Sequence, residues 1–155
     1  MPLNIGAAWS KPIKLTETTT TASYVCPKLT LFPEEPAVYV FGREHGNKIA
    51  PIYIGKAVNL RQRIQQQFDS VKLMSRLKAA ATGSRFLIYC VPTLKRGQKA
   101  GKVVKVMEDA LIAHALAEGH ELRQKQGTLR PNHTIKFTGN RMSEAIAGRF
   151  IRLRV

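Results

Sequence analysis

Acidic residues are scarce in this chain. Ten Asp and Glu stand against 25 Lys and Arg over 155 residues, a formal net charge of +15. So lopsided a balance disfavours a cationic partner and points to a polyanion, for which nucleic acid is the usual candidate. Long apolar runs are lacking too, and no basic amphipathic stretch carries an aromatic-rich apolar face. An anionic membrane surface is therefore the weaker candidate. Cysteine is nearly absent: Cys26 and Cys90 lie far apart, with no CxxC and no Cys/His cluster. That argues against a zinc site and against a disulfide framework. The histidines His45, His114, His120 and His133 form neither HxH nor HExxH spacing. The start, MPLNIGAAWSKPIKL, has no sustained apolar segment of a secretory signal, so the expected location is the reducing cytoplasm.

What is present suits one compact domain, because 44% hydrophobic residues in a chain of this length can fill a core without staples. Residues 1–36 read as an N-terminal arm with a threonine tract and a cluster of prolines, and residues 37–155 as the domain itself. Ala37–Phe41 and Pro51–Gly55 are short apolar strands around a Gly-containing turn, the pattern of an antiparallel hairpin. Leu60, Ile64 and Phe68 repeat every four residues and predict a helix over 58–68. A second helix is expected over 71–81 and a strand covered on both faces over 85–91. A long helix over 102–118 should be stopped by Gly119. Residues 127–140 read as irregular, with a last short helix over 142–150 and a basic end. The expected class is a small α/β (α+β) domain, a three-stranded sheet with helices packed on it.

Glu108 is the most informative residue. At about 100° per residue it falls between Val104 and Ile112 on the apolar face of its helix, while Asp109 points toward the edge. A carboxylate on a core face is costly unless it pairs with a buried cation or binds a metal, and both readings stand on the residue alone. Arg61 and Arg63 lie on opposite flanks of their helix, so they cannot face one partner, and Arg63 shares its flank with Asn59 and Gln67. Two solvated arginines are the plain reading; a guanidinium aimed at a phosphate is the functional one. Tyr39 and Tyr53 sit on the paired strands. A strand Tyr is ordinarily packing, but two converging hydroxyls could accept a proton from an attacking water.

Together AVY at Ala37–Tyr39, YIGKA at Tyr53–Ala57 and NLRQR at Asn59–Arg63 resemble the GIY-YIG endonuclease superfamily. The stretch YIGKAVNLRQRIQQQF is similar to the matching part of the excision-repair nuclease that cuts on the 3′ side of a lesion. The resemblance implies a three-stranded antiparallel sheet flanked by helices, with residues 1–36 as an extension outside the pattern. It also implies roles. Tyr53 would be the general base or position the water, and Tyr39 would hold water. Gly55 would allow close backbone approach to substrate, and Arg63 would stabilise charge on the phosphate. Glu108 would bind Mg²⁺ (or Mn²⁺), Asn132 would support the site by a hydrogen bond, and Lys56 would touch phosphate. Three departures matter: Ala37 replaces the first Gly, the connection between the tyrosines is long, and Gln67 stands where relatives carry an aromatic or a His. Glutamine is no base at neutral pH, which leaves Tyr53 alone, His133 as a substitute, or a weak enzyme.

Between Asp69 and Glu108 there is no acidic residue. That stretch holds Lys72, Arg76, Lys78, Arg85, Lys95, Arg96, Lys99, Lys102 and Lys105. With Arg61, these residues read as a phosphate-tracking face for double-stranded DNA, the alternative being a surface charged for solubility. Three functions compete: a metal-dependent DNA endonuclease of restriction, repair or recombination type; a catalytically weak or inactive DNA- or RNA-binding module on the same fold; and a basic component of a nucleoprotein particle. Double-strand cutting with one site per chain would imply a homodimer.

Overall fold

The hairpin expected around the Gly-rich turn forms and is longer than its apolar heart. β3 (Ala37–His45) and β4 (Lys48–Ala57) pair antiparallel across a two-residue turn in which Gly46 takes φ 61°. Tyr39 faces Gly55 and Phe41 faces Tyr53, and an irregularity between Phe41 and Gly42 leaves Ile52 as the extra residue. Pro51 is tolerated in β4 because that strand ends the sheet. On the other side of β3 runs β5 (Ser84–Thr93), also antiparallel.

The three-stranded antiparallel unit β4–β3–β5 is present, but the sheet does not stop there. The computed structural model describes residues 3–19, 23–122 and 133–153, and among them the sheet has seven strands in the order β4-β3-β5-β1-β6-β7 with a short β2 (Ile13–Lys14) also on β5. β1 (Asn4–Trp9) lies antiparallel to β5 and parallel to β6 (His133–Thr138), which pairs with β7 (Phe150–Leu153). The expectation of a three-stranded sheet is thus corrected, as is that of irregular structure over 127–140, whose described part contains β6. The reason is visible in the pleat. Ile5, Ala7 and Trp9 point inward from β1, and Ile135 and Phe137 from β6, in alternation with outward residues.

Helices cover both faces. α1 (Leu60–Phe68) and α2 (Val71–Ala79) pack on one face of the hairpin and β5 through Leu60, Ile64, Leu73 and Leu77. α3 (Ala100–Ala117) and α4 (Arg141–Ala147) close the opposite face, where Val38, Val40, Ile54 and Ile88 meet Val104, Met107 and Leu111. α3 ends as expected. Gly119 takes φ 86°, and the N–H groups of Gly119 and His120 bond to the carbonyls of Leu116 and Ala115 at 3.1 and 3.0 Å. α4 stops at Ala147, before Gly148 with φ 67°, so Phe150 belongs to a strand rather than to the last helix. Among the described residues no helix is long and apolar enough to cross a membrane.

Arg85 is not on the basic surface. It is buried, and its guanidinium donates to the carbonyls of Leu77, Gly83 and Ala80 at 2.8, 2.7 and 2.9 Å, satisfying groups that the end of α2 would otherwise leave open.

Candidate functional site around Tyr39, Arg63 and Glu108

Register brings the two tyrosines together. Tyr39 on β3 lies over Gly55 of β4, where any Cβ would fall inside the Tyr39 ring. Glycine is required here for a packing reason that the sequence does not display: the strand must be bare for the ring to lie flat against it. Tyr53 stands next along the same face, its ring centroid 6.3 Å from that of Tyr39, and Phe41 meets Tyr39 edge-on at 6.0 Å.

α1 supplies the next two residues. Asn59 caps it, its side chain accepting from the Gln62 N–H at 3.2 Å. The N–H groups of Leu60 and Arg61 bond to the carbonyls of Glu35 and Pro33 at 3.0 and 3.3 Å, fixing the helix start against the preceding segment. One turn apart on one flank, Arg63 is exposed while Gln67 is half-buried. The Gln67 amide donates to the Tyr39 hydroxyl at 2.5 Å. Tyr39 is completely buried, and burial pushes its phenol well above the ordinary range. The Gln67 bond and the nearby Arg63 charge pull the other way, whereas a bond toward Tyr53 keeps the proton on Tyr39. Tyr39 is therefore a neutral phenol held between Gln67 and Tyr53, and the half-buried Tyr53 hydroxyl is the outer member of that chain.

α3 supplies the carboxylate. The Glu108 side chain is 17% exposed, and Lys105 approaches it at 3.9 Å, too far for a hydrogen bond. Burial raises its carboxyl above the usual range; Lys56 and Lys105 oppose that, Asp109 adds to it, and Arg63 opposes it more weakly. Arg63 thus acts on both Tyr39 and Glu108, and Lys56 on Glu108, which makes these residues one electrostatic cluster. Asp109 refines the sequence reading. Though it lies toward the edge of the apolar stripe, it is the more buried of the two acids, at 7% side-chain exposure against 17% for Glu108, and Lys105 holds it at 2.7 Å. α3 packs against β4 on one side and α4 and β7 on others, so a position at the margin of one stripe is still enclosed.

Among the described residues no three His, Cys, Asp or Glu converge to form a metal cage. Glu108 offers one half-buried carboxylate that Lys105 approaches only at 3.9 Å, being held more closely by Asp109 at 2.7 Å. A single carboxylate fits a Mg²⁺-like ion, which keeps several waters and takes its other oxygens from a phosphate. It does not fit zinc, which needs three or four protein donors.

Not every expected residue joins the cluster. Arg61 turns the other way, with its Nε donating to the Phe32 carbonyl at 2.9 Å and its Nη1 3.6 Å from a Glu34 carboxylate oxygen. Lys78 pairs with Glu17 at 3.0 Å and lies over the Tyr24 ring. Lys72 is exposed and Arg76 half-buried on α2. Lys95, Arg96 and Lys99 are exposed on the turn before α3. Asn132 lies outside the described residues, as does the side chain of His133. The contribution of Gln67 was the one the sequence hid, because a glutamine at that position reads as a loss rather than as a hydrogen-bond donor.

Part of this chain is similar to a known protein. UvrABC system protein C of Finegoldia magna is 33% identical over 64 residues, 41% of this chain and 10% of that protein. UvrABC system protein C of Protochlamydia amoebophila is 48% identical over 46 residues, 30% of this chain and 7% of that protein. The chain therefore spans about a tenth or less of the length of these relatives. No protein-family profile matches the chain, and no solved structure matches it.

Proposed function

We propose that this chain is a Mg²⁺-dependent endonuclease (Mn²⁺ substituting) of GIY-YIG type that hydrolyses phosphodiester bonds in DNA. The observation that carries the reading is that the Arg63 charge acts electrostatically on both Tyr39 and Glu108. A cation, a half-buried carboxylate and a phenol pair in one cluster match the needs of phosphate hydrolysis, and the partial likeness to UvrABC system protein C supports a nuclease.

In this reading Tyr53 takes the proton of the attacking water. Tyr39 is fixed as a neutral donor by Gln67 and would hydrogen-bond the Tyr53 oxygen in the deprotonated form that acts as base, whose charge is neutralised when the water proton arrives while the hydroxide adds to phosphorus. The departure at position 67 then costs the chain no base, because the amide orients the pair instead. Arg63 spans two phosphate oxygens and offsets charge in the transition state. Glu108 would hold the ion, which supplies Lewis-acid stabilisation of the leaving oxygen when bound. Lys56, whose charge acts on Glu108, is proposed to touch the same phosphate. Asn132 is proposed to support the site, and cutting of both strands would need two copies of the chain.

The test is nicking of supercoiled plasmid with and without Mg²⁺, beside Glu108→Ala and Arg63→Ala. Cutting that requires the ion and drops by at least about 100-fold in either variant supports the enzyme. Failure to cut across several divalent ions, with DNA still bound, would leave the non-cleaving nucleic-acid module, which the saturation of Tyr39 by Gln67 favours.

A further inference from the structure

The sheet face that carries Tyr39 and Tyr53 continues past the helices that cover it. α1, α2 and the segment around Phe32 pack on β4, β3 and β5, but on β1, β6 and β7 the same face is bare among the described residues. Cross-strand register defines what stands there. Thr93 faces Gly6, Gly6 faces Lys136, and Lys136 faces Phe150, one row across four strands. The buried row beside it, Ile5, Ile135 and Ile151, confirms which side is inward.

The outward row is unusual in its chemistry. Its floor is small: a Cβ on Gly6 would meet nothing within 4 Å, and Ala8 and Thr138 lie alongside, exposed. From that floor rise an exposed lysine and a phenylalanine that is 59% exposed, with side chains about 5 Å apart at their bases. Beside Phe150 opens a recess of about 390 Å³ lined by Lys136, Thr138, Glu144 and Arg149. Its one carboxylate, Glu144, is paired with Arg149 at 3.4 Å.

We infer that this face is a second nucleic-acid site, specific for an unpaired strand, with Phe150 stacking a base and Lys136 holding the adjoining phosphate. The inference rests on the nucleic-acid reading above but not on cleavage. A duplex hides its base faces and would gain only the lysine, whereas a single strand presents a π-face to the aromatic and a phosphate to the cation. A peptide or a lipid surface would need more apolar area than one ring. Five inter-strand steps separate β4 from β7, about 24 Å along the sheet. The site would therefore hold a displaced strand while the tyrosine cluster faces the paired part of the same molecule.

The test uses the full chain in EDTA, so that nothing is cut. Affinity is read with a short oligo-dT carrying one 2-aminopurine, with a duplex of equal length, and with a fork joining the two. Phe150→Leu keeps an apolar side chain and removes the π-face; Phe150→Trp keeps it. Phe150→Leu and Lys136→Gln are expected to weaken single-strand and fork binding roughly tenfold with the duplex affinity nearly unchanged, while Phe150→Trp retains binding and quenches 2-aminopurine. Equal losses on duplex and single strand, or no loss on either, would overturn the inference. So would a shift from dimer to monomer in sedimentation of Phe150→Leu with single-strand affinity intact, since the face would then join two copies. A wild-type chain that never cuts, but whose Phe150→Leu variant loses single-strand binding, would sink the nuclease and keep this site.

Discussion

Gly55 shows how one residue can be required for a reason other than the obvious one. Its backbone is extended, and what forbids a side chain is the Tyr39 ring lying against it. Gly55→Ala should therefore displace Tyr39 from Gln67, and overpacking of this kind destabilises by about 1–3 kcal/mol. Denaturant unfolding would measure the loss, and an unchanged midpoint would mean that the ring yields freely. Glu108 poses the opposite case, a residue the fold tolerates at a cost. Burial raises its carboxyl above the ordinary range, so the folded state binds that proton more tightly than the unfolded chain does. The resulting stability is full below the unfolded pKa and is lost as pH rises through the raised folded value. At neutral pH Glu108→Gln should raise Tm, with the gain vanishing below about pH 4. Over the same window an ion held at Glu108, as proposed, should be released, because a protonated carboxyl does not bind one. Scanning calorimetry from about pH 3, below ordinary carboxylate titration, to about pH 8, well above it, would check it; a variant less stable at neutral pH would mean that the ionised carboxylate is already compensated.

At the scale of elements, Arg85 is the least expected contributor. It was counted within a run of surface cations, yet it anchors the end of α2 through three carbonyls. Arg85→Ala removes charge-assisted hydrogen bonds from a buried setting, and about 2–4 kcal/mol of stability should go with them. Urea titration reads this directly, and a loss under 0.5 kcal/mol, about the size of an ordinary surface change, would show that water replaces the guanidinium. The sequence hides such a role because an Arg opening a strand looks the same whether it faces solvent or a helix end. The legible elements were those with local signals: the hairpin by its turn, α1 by its four-residue spacing, the end of α3 by Gly119. β1, β6 and β7 were illegible for two reasons. The outward positions of β1 hold Asn4, Gly6 and Ala8 rather than charges, and β7 opens on an outward Phe150, which blunts the period-2 pattern in both. The pairing of β1 with β6 also joins residues more than 120 positions apart, so neither strand carries a mark of its partner. The site divides the same way. Glu108 was nameable from its helical position and Tyr39, Tyr53 and Arg63 from the resemblance of AVY, YIGKA and NLRQR, whereas the tie from Gln67 to Tyr39 and the burial of Asp109 depend on three-dimensional packing.

For the whole molecule the decisive property is where charge of each sign lies. α3 has Lys95, Arg96, Lys99, Lys102 and Lys105 exposed before and along its first half, and Glu118 and Glu121 exposed just past its end. The positive end of the helix dipole coincides with the basic end, so both fields draw a polyanion to the same pole. The turn presenting those cations is itself held. The Gln98 N–H bonds to the Lys95 carbonyl at 3.0 Å, Gly97 takes φ 83°, and the Gln98 amide donates to the Asn4 carbonyl at 3.3 Å. A fixed turn loses less freedom on binding than a loose one, which favours its use as a phosphate contact. If DNA runs from the Arg63–Glu108 cluster along α3 to this turn, replacing Lys95, Arg96 and Lys99 by Ala removes about three phosphate contacts. The slope of log affinity against log salt for a duplex should then fall in magnitude by about one per contact. Cleavage of saturating DNA in a single turnover should stay near the wild-type rate, since none of the three belongs to the tyrosine cluster. A slope that does not move would place the duplex elsewhere and leave the charge of this pole as a matter of solubility. A slope that falls together with the saturated rate would mean that the turn positions the scissile phosphate as well as attracting the strand.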